Sequence, residues 1–155
     1  MNGLLNYNPK NNIAITMDSE ESLTYHDLKD FIAKFGEITE PRSMVVCLSK
    51  NSIGSIIGYI SFFENNLVPL LIGQALNKIL LKNFIKIYNP KYLWIPKNSL
   101  KGFSRHKVIL TVFDYVLLEI SSNRITDIHP NLSLLLPTSG STGDPKIVKL
   151  SKKKY

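Results

Sequence analysis

Cysteine is almost missing from this chain. Cys47 stands alone, so no internal disulfide can form, and one thiol inside an apolar run suits the cytosol. No apolar stretch reaches the ~18 residues that a membrane-spanning helix needs. Residues 1–9 lack the basic segment and long apolar core of a secretory signal, so a cytoplasmic location is expected. Arginine is scarce too: Arg42, Arg105 and Arg124 are the only three among 19 cationic residues. Nucleic-acid binders concentrate charge in a stripe with arginine or aromatic platforms. Here the lysines are scattered, so the net charge of +7 reads mainly as solvated surface, with a basic polyanion-binding domain as an alternative and nucleic acid not the expected partner. His26, His106 and His129 fall in three separate segments without metal-ligand spacing. Neither a Ser–His–Asp order nor a pair of carboxylates can be argued. Repeats and low-complexity segments are also absent.

With 155 residues the chain is expected to form one compact domain, residues 1–155, burying roughly 70% of its unfolded surface. Residues 13–17 have strand character and precede a turn. Thr24 is placed to cap a helix, with Asp27 three positions on; Tyr25, Leu28, Ile32 and Phe35 then recur at helical spacing, and Gly36 reads as the stop. Residues 44–48 form an apolar run without alternation, as in a buried parallel strand. Asn51 and Ser52 can cap a second helix with a stripe of Ile53, Ile56, Ile57, Ile60 and Phe63. Its Gly54 and Gly58 suggest close packing against a sheet. Residues 67–72 read as a strand in which Pro69 marks an end or an edge. Ile79, Leu80, Phe84 and Ile87 outline a third helix, which Asn89 and Pro90 end. Residues 92–95 give another strand, 97–106 a loop, and 108–120 two strands or one bent at Asp114. Residues 121–124 are turn-like, and His129 to Asn131 lead into a further strand. Strands alternating with helices indicate an α/β fold with a mostly parallel sheet, flanking helices and right-handed crossovers.

The densest chemistry lies at residues 134–150: an apolar run, a hydroxyl- and glycine-rich loop, Pro145 and Lys146, then a second apolar run. Gly140 and Gly143 lack a Cβ, so a ligand can approach the backbone closely. Successive N–H groups in such a loop can converge on an anion. Thr138, Ser139, Ser141 and Thr142 add hydroxyl donors, and Lys146 adds a point charge suited to phosphate. A flexible Ser/Gly linker is the plain alternative, disfavoured because two β-prone runs anchor the loop. The P-loop pattern Gly-x-x-x-x-Gly-Lys-Ser/Thr before a helix also fits poorly. Lys146 is three places after Gly143, Ile147 follows it, and residues 147–150 alternate as a strand would. Strand–loop–strand is the expected setting.

From Thr138 to Lys146 the sequence resembles the phosphate-binding signature of the AMP-forming adenylating enzymes, Thr/Ser-Ser-Gly-Ser/Thr-Ser/Thr-Gly-x-Pro-Lys, at every specified position. In the flanks, Ile147 stands where many members have Gly, and Ser151-Lys152 where many have Ser-His. The helix beginning at Thr24-Tyr25, Asn51, and the turn from Asn66 to Pro69 look like the same family's N-terminal lobe. The resemblance implies ATP-dependent activation of a carboxylic acid to an acyl-adenylate, with Mg²⁺, and transfer to coenzyme A or a carrier-protein phosphopantetheine. Thr138, Ser139, Ser141 and Thr142 would donate to the β- and γ-phosphates, Lys146 would balance charge, and Gly140 and Gly143 would allow the close approach. Other signatures of the family follow this loop and are not found in the chain, so it reads as a truncated or split enzyme that works with a separate chain or alone does not catalyse. Four or five charge-assisted hydrogen bonds contribute about 10 kcal/mol at 1.5–3 kcal/mol each. Ordering nine loop residues costs roughly as much, at 1–2 kcal/mol per residue. The loop alone is therefore expected to hold ATP weakly.

Overall fold

The computed structural model describes residues 12–18, 21–73, 78–120, 128–138 and 146–151. Strands β1 (Ile13–Thr16) and β2 (Ser22–Thr24) form a small antiparallel pair. A seven-stranded sheet comprises β3 (Met44–Ser49), β4 (Val68–Gly73), β5 (Tyr92–Pro96), β6 (Lys107–Val112), β7 (Tyr115–Glu119), β8 (Leu132–Thr138) and β9 (Lys146–Ser151), in the spatial order β6-β7-β5-β3-β4-β8-β9. The central four, β5-β3-β4-β8, are parallel, and an antiparallel hairpin arm closes each end. The α/β sheet with flanking helices expected from the sequence is present, its parallel strands confined to the middle.

Two helices cross between these strands. Helix α2 (Ile53–Glu64) carries the chain from β3 to β4, and α3 (Lys78–Tyr88) carries it back past β3 to β5. Ile53, Ile57 and Phe62 of α2 pack into one core with Val45, Cys47 and Trp94. Leu81 and Phe84 of α3 pack into the other core, with Val46, Leu70 and Leu93. Because the direction of travel and the covered face reverse together, the two crossovers share one hand.

Helix α1 (Tyr25–Ile38) begins as the sequence indicates. The Thr24 hydroxyl accepts from the Asp27 N–H at 3.1 Å, and Asp27 accepts from the Thr24 N–H at 3.2 Å. The hydrogen bonds from Thr24 hold the Asp27 carboxyl below its ordinary pKa. A folded-state pKa below the unfolded value favours the helix above the ordinary carboxylate range, and that contribution fades as pH falls through the folded value. Thr24→Ala is expected to lower stability by about 1 kcal/mol; the urea midpoint at neutral pH measures it, and the difference from the parent should shrink in acid.

Several local expectations need correction. Gly36 does not stop α1, which runs on to Ile38 and is capped at Thr39. A Cβ on Gly36 would lie 2.5 Å from Asn65 Oδ1. Asn65 needs that space, since its amide donates to Ile32 O and Ser61 O and ties α1 to α2. In α2 the buried set is Ile53, Gly54, Ser55, Ile57, Gly58, Ser61 and Phe62. Ile56, Ile60 and Phe63 are only half-buried, because the glycines and Ser61 are what allow the helix to approach its neighbours. Pro69 is the second residue of β4 and lies inside the sheet. On α3, Ile79 and Ile87 face outward, and Leu81 joins Phe84 inside. Within 97–106 the chain forms a 3-10 helix, Lys97–Phe103. The bend at Asp114 is a hairpin turn in which Phe113 has φ 49°, and the turn expected at 121–124 lies outside the described residues. Asn89, φ 43°, ends α3 ahead of Pro90, a favoured arrangement at helix C-termini.

Candidate functional site

Strands β3, β4, β5 and β8 all point the same way, so Ser49, Gly73, Pro96 and Thr138 end at one edge of the sheet. The crossovers diverge from β3, with β4 on one side and β5 on the other. In open α/β sheets, ligands bind outside the carboxyl ends of the strands where connections diverge in this way. The hydroxyl-rich loop springs from this edge.

Its two ends are held in a hairpin. Thr138 and Lys146 are register partners at the mouth of β8 and β9, both exposed, and Thr138 Oγ1 donates to Lys146 O at 3.1 Å. Lys146 therefore opens a strand, which is the strand–loop–strand setting and not the strand–loop–helix of a P-loop. Among the expected phosphate ligands, Thr138 and Lys146 are brought together across this mouth. Ser139, Gly140, Ser141, Thr142 and Gly143 lie outside the described residues.

Strand β8 joins the sheet beside β4. Its described register with β4 is the single pair Leu70↔Leu135, whereas β3 and β4 are in register from Met44↔Val68 to Ser49↔Gly73. Leu135 is buried beside Leu70 and Ile72. The second anchor is Arg42. Its guanidinium donates to Leu132 O at 2.9 Å and to His129 O at 2.8 Å, gripping the chain as it enters β8. Arg42 itself is held with φ 63° by its N–H, which donates to Asn66 O at 2.9 Å. Sequence reasoning passed over Arg42, since nothing in the local pattern links it to residues almost ninety positions later.

A charged cluster at the same edge was also missed. Lys50 follows β3 and pairs with Asp114 at 2.5 Å, with its ammonium 5.8 Å from the centre of the Tyr115 ring. The Tyr115 hydroxyl donates to Leu48 O at 2.6 Å, and burial raises its pKa above the ordinary phenol value. Asp114 also lies against the first turn of α2, where a Cβ on Gly54 would meet its carboxylate. A helix N-terminus favours a carboxylate there. Lys50, just past the end of β3, is two strand spacings or about 10 Å from β8. Its charge is already matched by Asp114, which leaves Lys146 as the lysine at the hairpin mouth.

No protein-family model matches the chain, and no curated protein matches it significantly. Solved structures do. The chain is similar to ATP-bound MatB from Rhodopseudomonas palustris, with a TM-score of 0.67 at 18% identity, over 92% of this chain and 32% of that one. It is similar to O-succinylbenzoate coenzyme A synthetase (MenE) from Bacillus subtilis in complex with AMP, with a TM-score of 0.60 at 13% identity, over 91% and 39% of the two chains. The luciferase-like enzyme of the nonluminescent mealworm Zophobas morio gives 0.62 at 18% identity, over 90% and 39%. These neighbours are AMP-forming ligases, and the fold here matches the N-terminal part of their domains. The chain spans between about a third and two fifths of their length.

Proposed function

We propose that this chain supplies the ATP-phosphate loop of an AMP-forming acid–thiol ligase. The supporting observation is the hairpin mouth at the carboxyl edge of the sheet, where Thr138 and Lys146 bracket a loop with the family's phosphate-binding pattern. In this reading ATP and a carboxylic acid are the substrates. The acid's oxygen attacks the α-phosphorus and pyrophosphate leaves, giving an acyl-adenylate. The hydroxyls of Thr138, Ser139, Ser141 and Thr142 and the loop amides would hold the β- and γ-phosphates. The Lys146 ammonium would offset charge gathering on the departing pyrophosphate, a stabilisation by positioned donors. Among the described residues no cluster of His, Cys, Asp and Glu is suited to a metal ion. Mg²⁺ would accordingly arrive bound to the triphosphate. Transfer of the acyl group to coenzyme A or a carrier-protein phosphopantetheine, and a soluble cytoplasmic setting, complete the proposal.

The domain reading follows from it. Residues 1–155 correspond to the first part of a ligase N-terminal domain, and the remaining parts of the reaction's machinery belong to the portion of the neighbours that this chain does not span. That portion could act in trans as a separate chain.

The test is direct binding to the purified 155-residue chain. ATP titrated into isotope-labelled protein is expected to shift backbone amides of residues 138–146 with an affinity near millimolar. Tripolyphosphate should compete and adenosine should not. Lys146→Ala, and separately Ser141→Ala with Thr142→Ala, should each weaken ATP by about tenfold, equivalent to about 1.4 kcal/mol. ATP binding that is indifferent to both variants would remove the assignment.

A further inference from the structure

Between Glu64 and Asp114 the sequence contains no acidic residue, but it contains seven lysines and Arg105. One of these cations is matched from elsewhere, Lys91 by Glu40, and Lys107 is the register partner of Glu119 in the β6–β7 ladder. Lys82, Lys86, Lys101 and Arg105 form no ion pair among the described residues. Lys82, Lys86 and Lys101 belong to one side of the molecule, because α3 and the 3-10 helix pack on the same sheet face through Leu81, Phe84, Leu100 and Phe103.

Aliphatic side chains stand among these charges. Ile79 and Ile87 are 67% and 70% exposed, the most exposed large apolar residues among those described. They lie near the two ends of α3, about 12 Å apart along its axis. Lys82 and Lys86 fall between them, one turn apart. Helix α3 already buries Leu81 and Phe84 against the sheet, and its outward face presents exposed isoleucine and lysine together.

We propose that this face of α3 docks peripherally on an anionic lipid surface, its lysines meeting the headgroups and its two isoleucines entering the interfacial layer. A basic face combined with aliphatic contacts is the pattern of interfacial helices, and charge and apolar area both strengthen such binding. Nucleic acid fits less well, because single-strand binders set aromatic or arginine platforms among their cations and the outward face of α3 has neither. No described helix is long and apolar enough to cross a membrane, so the contact is superficial.

The experiment sediments the purified chain with phosphatidylcholine vesicles and with vesicles containing about a third phosphatidylglycerol. Binding to the anionic vesicles is expected to exceed that to the neutral ones by about tenfold and to fall as salt is added. The double variant Ile79→Ser/Ile87→Ser should retain the parent's circular dichroism and lose about tenfold in vesicle affinity. Lys82→Glu/Lys86→Glu should abolish binding. Three outcomes overturn the proposal. The chain could ignore anionic vesicles at low salt. The isoleucine variant could bind as the parent does, which leaves a charge contact only. Lastly, a single-stranded oligonucleotide could bind at physiological salt more tightly than the vesicles, which assigns the face to nucleic acid.

Discussion

Gly58→Ala is expected to destabilise the protein by roughly 3 kcal/mol, a large share of the 5–15 kcal/mol typical of a domain. A Cβ at this position would lie 2.1 Å from Trp94 Nε1, 2.6 Å from Cε2 and 2.7 Å from Cδ1. The indole has no room to retreat. Tyr115 stacks on it at 5.2 Å, while Phe35 and Phe62 meet it edge-on at 5.3 and 6.0 Å. Its N–H also donates to Gly54 O at 3.1 Å in the buried interior, so displacing the ring leaves two polar groups unmatched. Overpacking costs about 1–3 kcal/mol and an unsatisfied buried group a similar amount, against about 1 kcal/mol regained from alanine's better helix propensity. Gly102→Ala is the control, since a Cβ there meets nothing within 4 Å. Urea unfolding followed by circular dichroism compares them; equal midpoints for the two variants would contradict the packing account.

Carboxylate-dependent exchange of pyrophosphate into ATP is expected to stay at background with the purified 155-residue chain. The chain spans only about a third to two fifths of its structural neighbours. On the proposed reading, the loop restrains one end of the triphosphate, and neither the acid nor the α-phosphate is placed by it. Holding two reactants in an attacking geometry contributes about 7–11 kcal/mol to such a step, and that contribution is what a loop alone lacks. Exchange above background, dependent on an added carboxylic acid and abolished by Lys146→Ala, would show that this chain is a sufficient catalyst.

The elements set by local chemistry were legible from the residues. Thr24 and Asp27 cap α1 reciprocally, residues 44–48 are a buried parallel strand, Asn89 and Pro90 end α3, and the apolar run of 108–120 holds two strands that part at Asp114. Errors arose where a residue's role depends on a distant partner. Gly36 looks like a stop signal until Asn65 is seen to occupy the space a side chain would take. Ile79 and Ile87 repeat at helical spacing with Leu80 and Phe84, but a helix lying on a sheet buries a narrower arc than that spacing suggests. Pro69 reads as marking an end or an edge, yet β4 lies between β3 and β8 and Pro69 stands in register with Val45. The site divides in the same way. The loop's order from Thr138 to Lys146 is local and readable, whereas the Arg42 grip and the Lys50–Asp114 pair exist only after residues far apart in sequence have met.

The exposed edge position of β9 governs how unfolding is observed. Trp94, the chain's one indole, is sealed in the α1–α2 core, while β9 is an edge strand exposed at every residue but the half-buried Ile147. Regions held by few buried contacts open at lower free energy than the core, so fluorescence is blind to the first event. Amide exchange in β9 should run ahead of the indole signal, and a midpoint taken from tryptophan emission describes a molecule whose edge strand has already come loose.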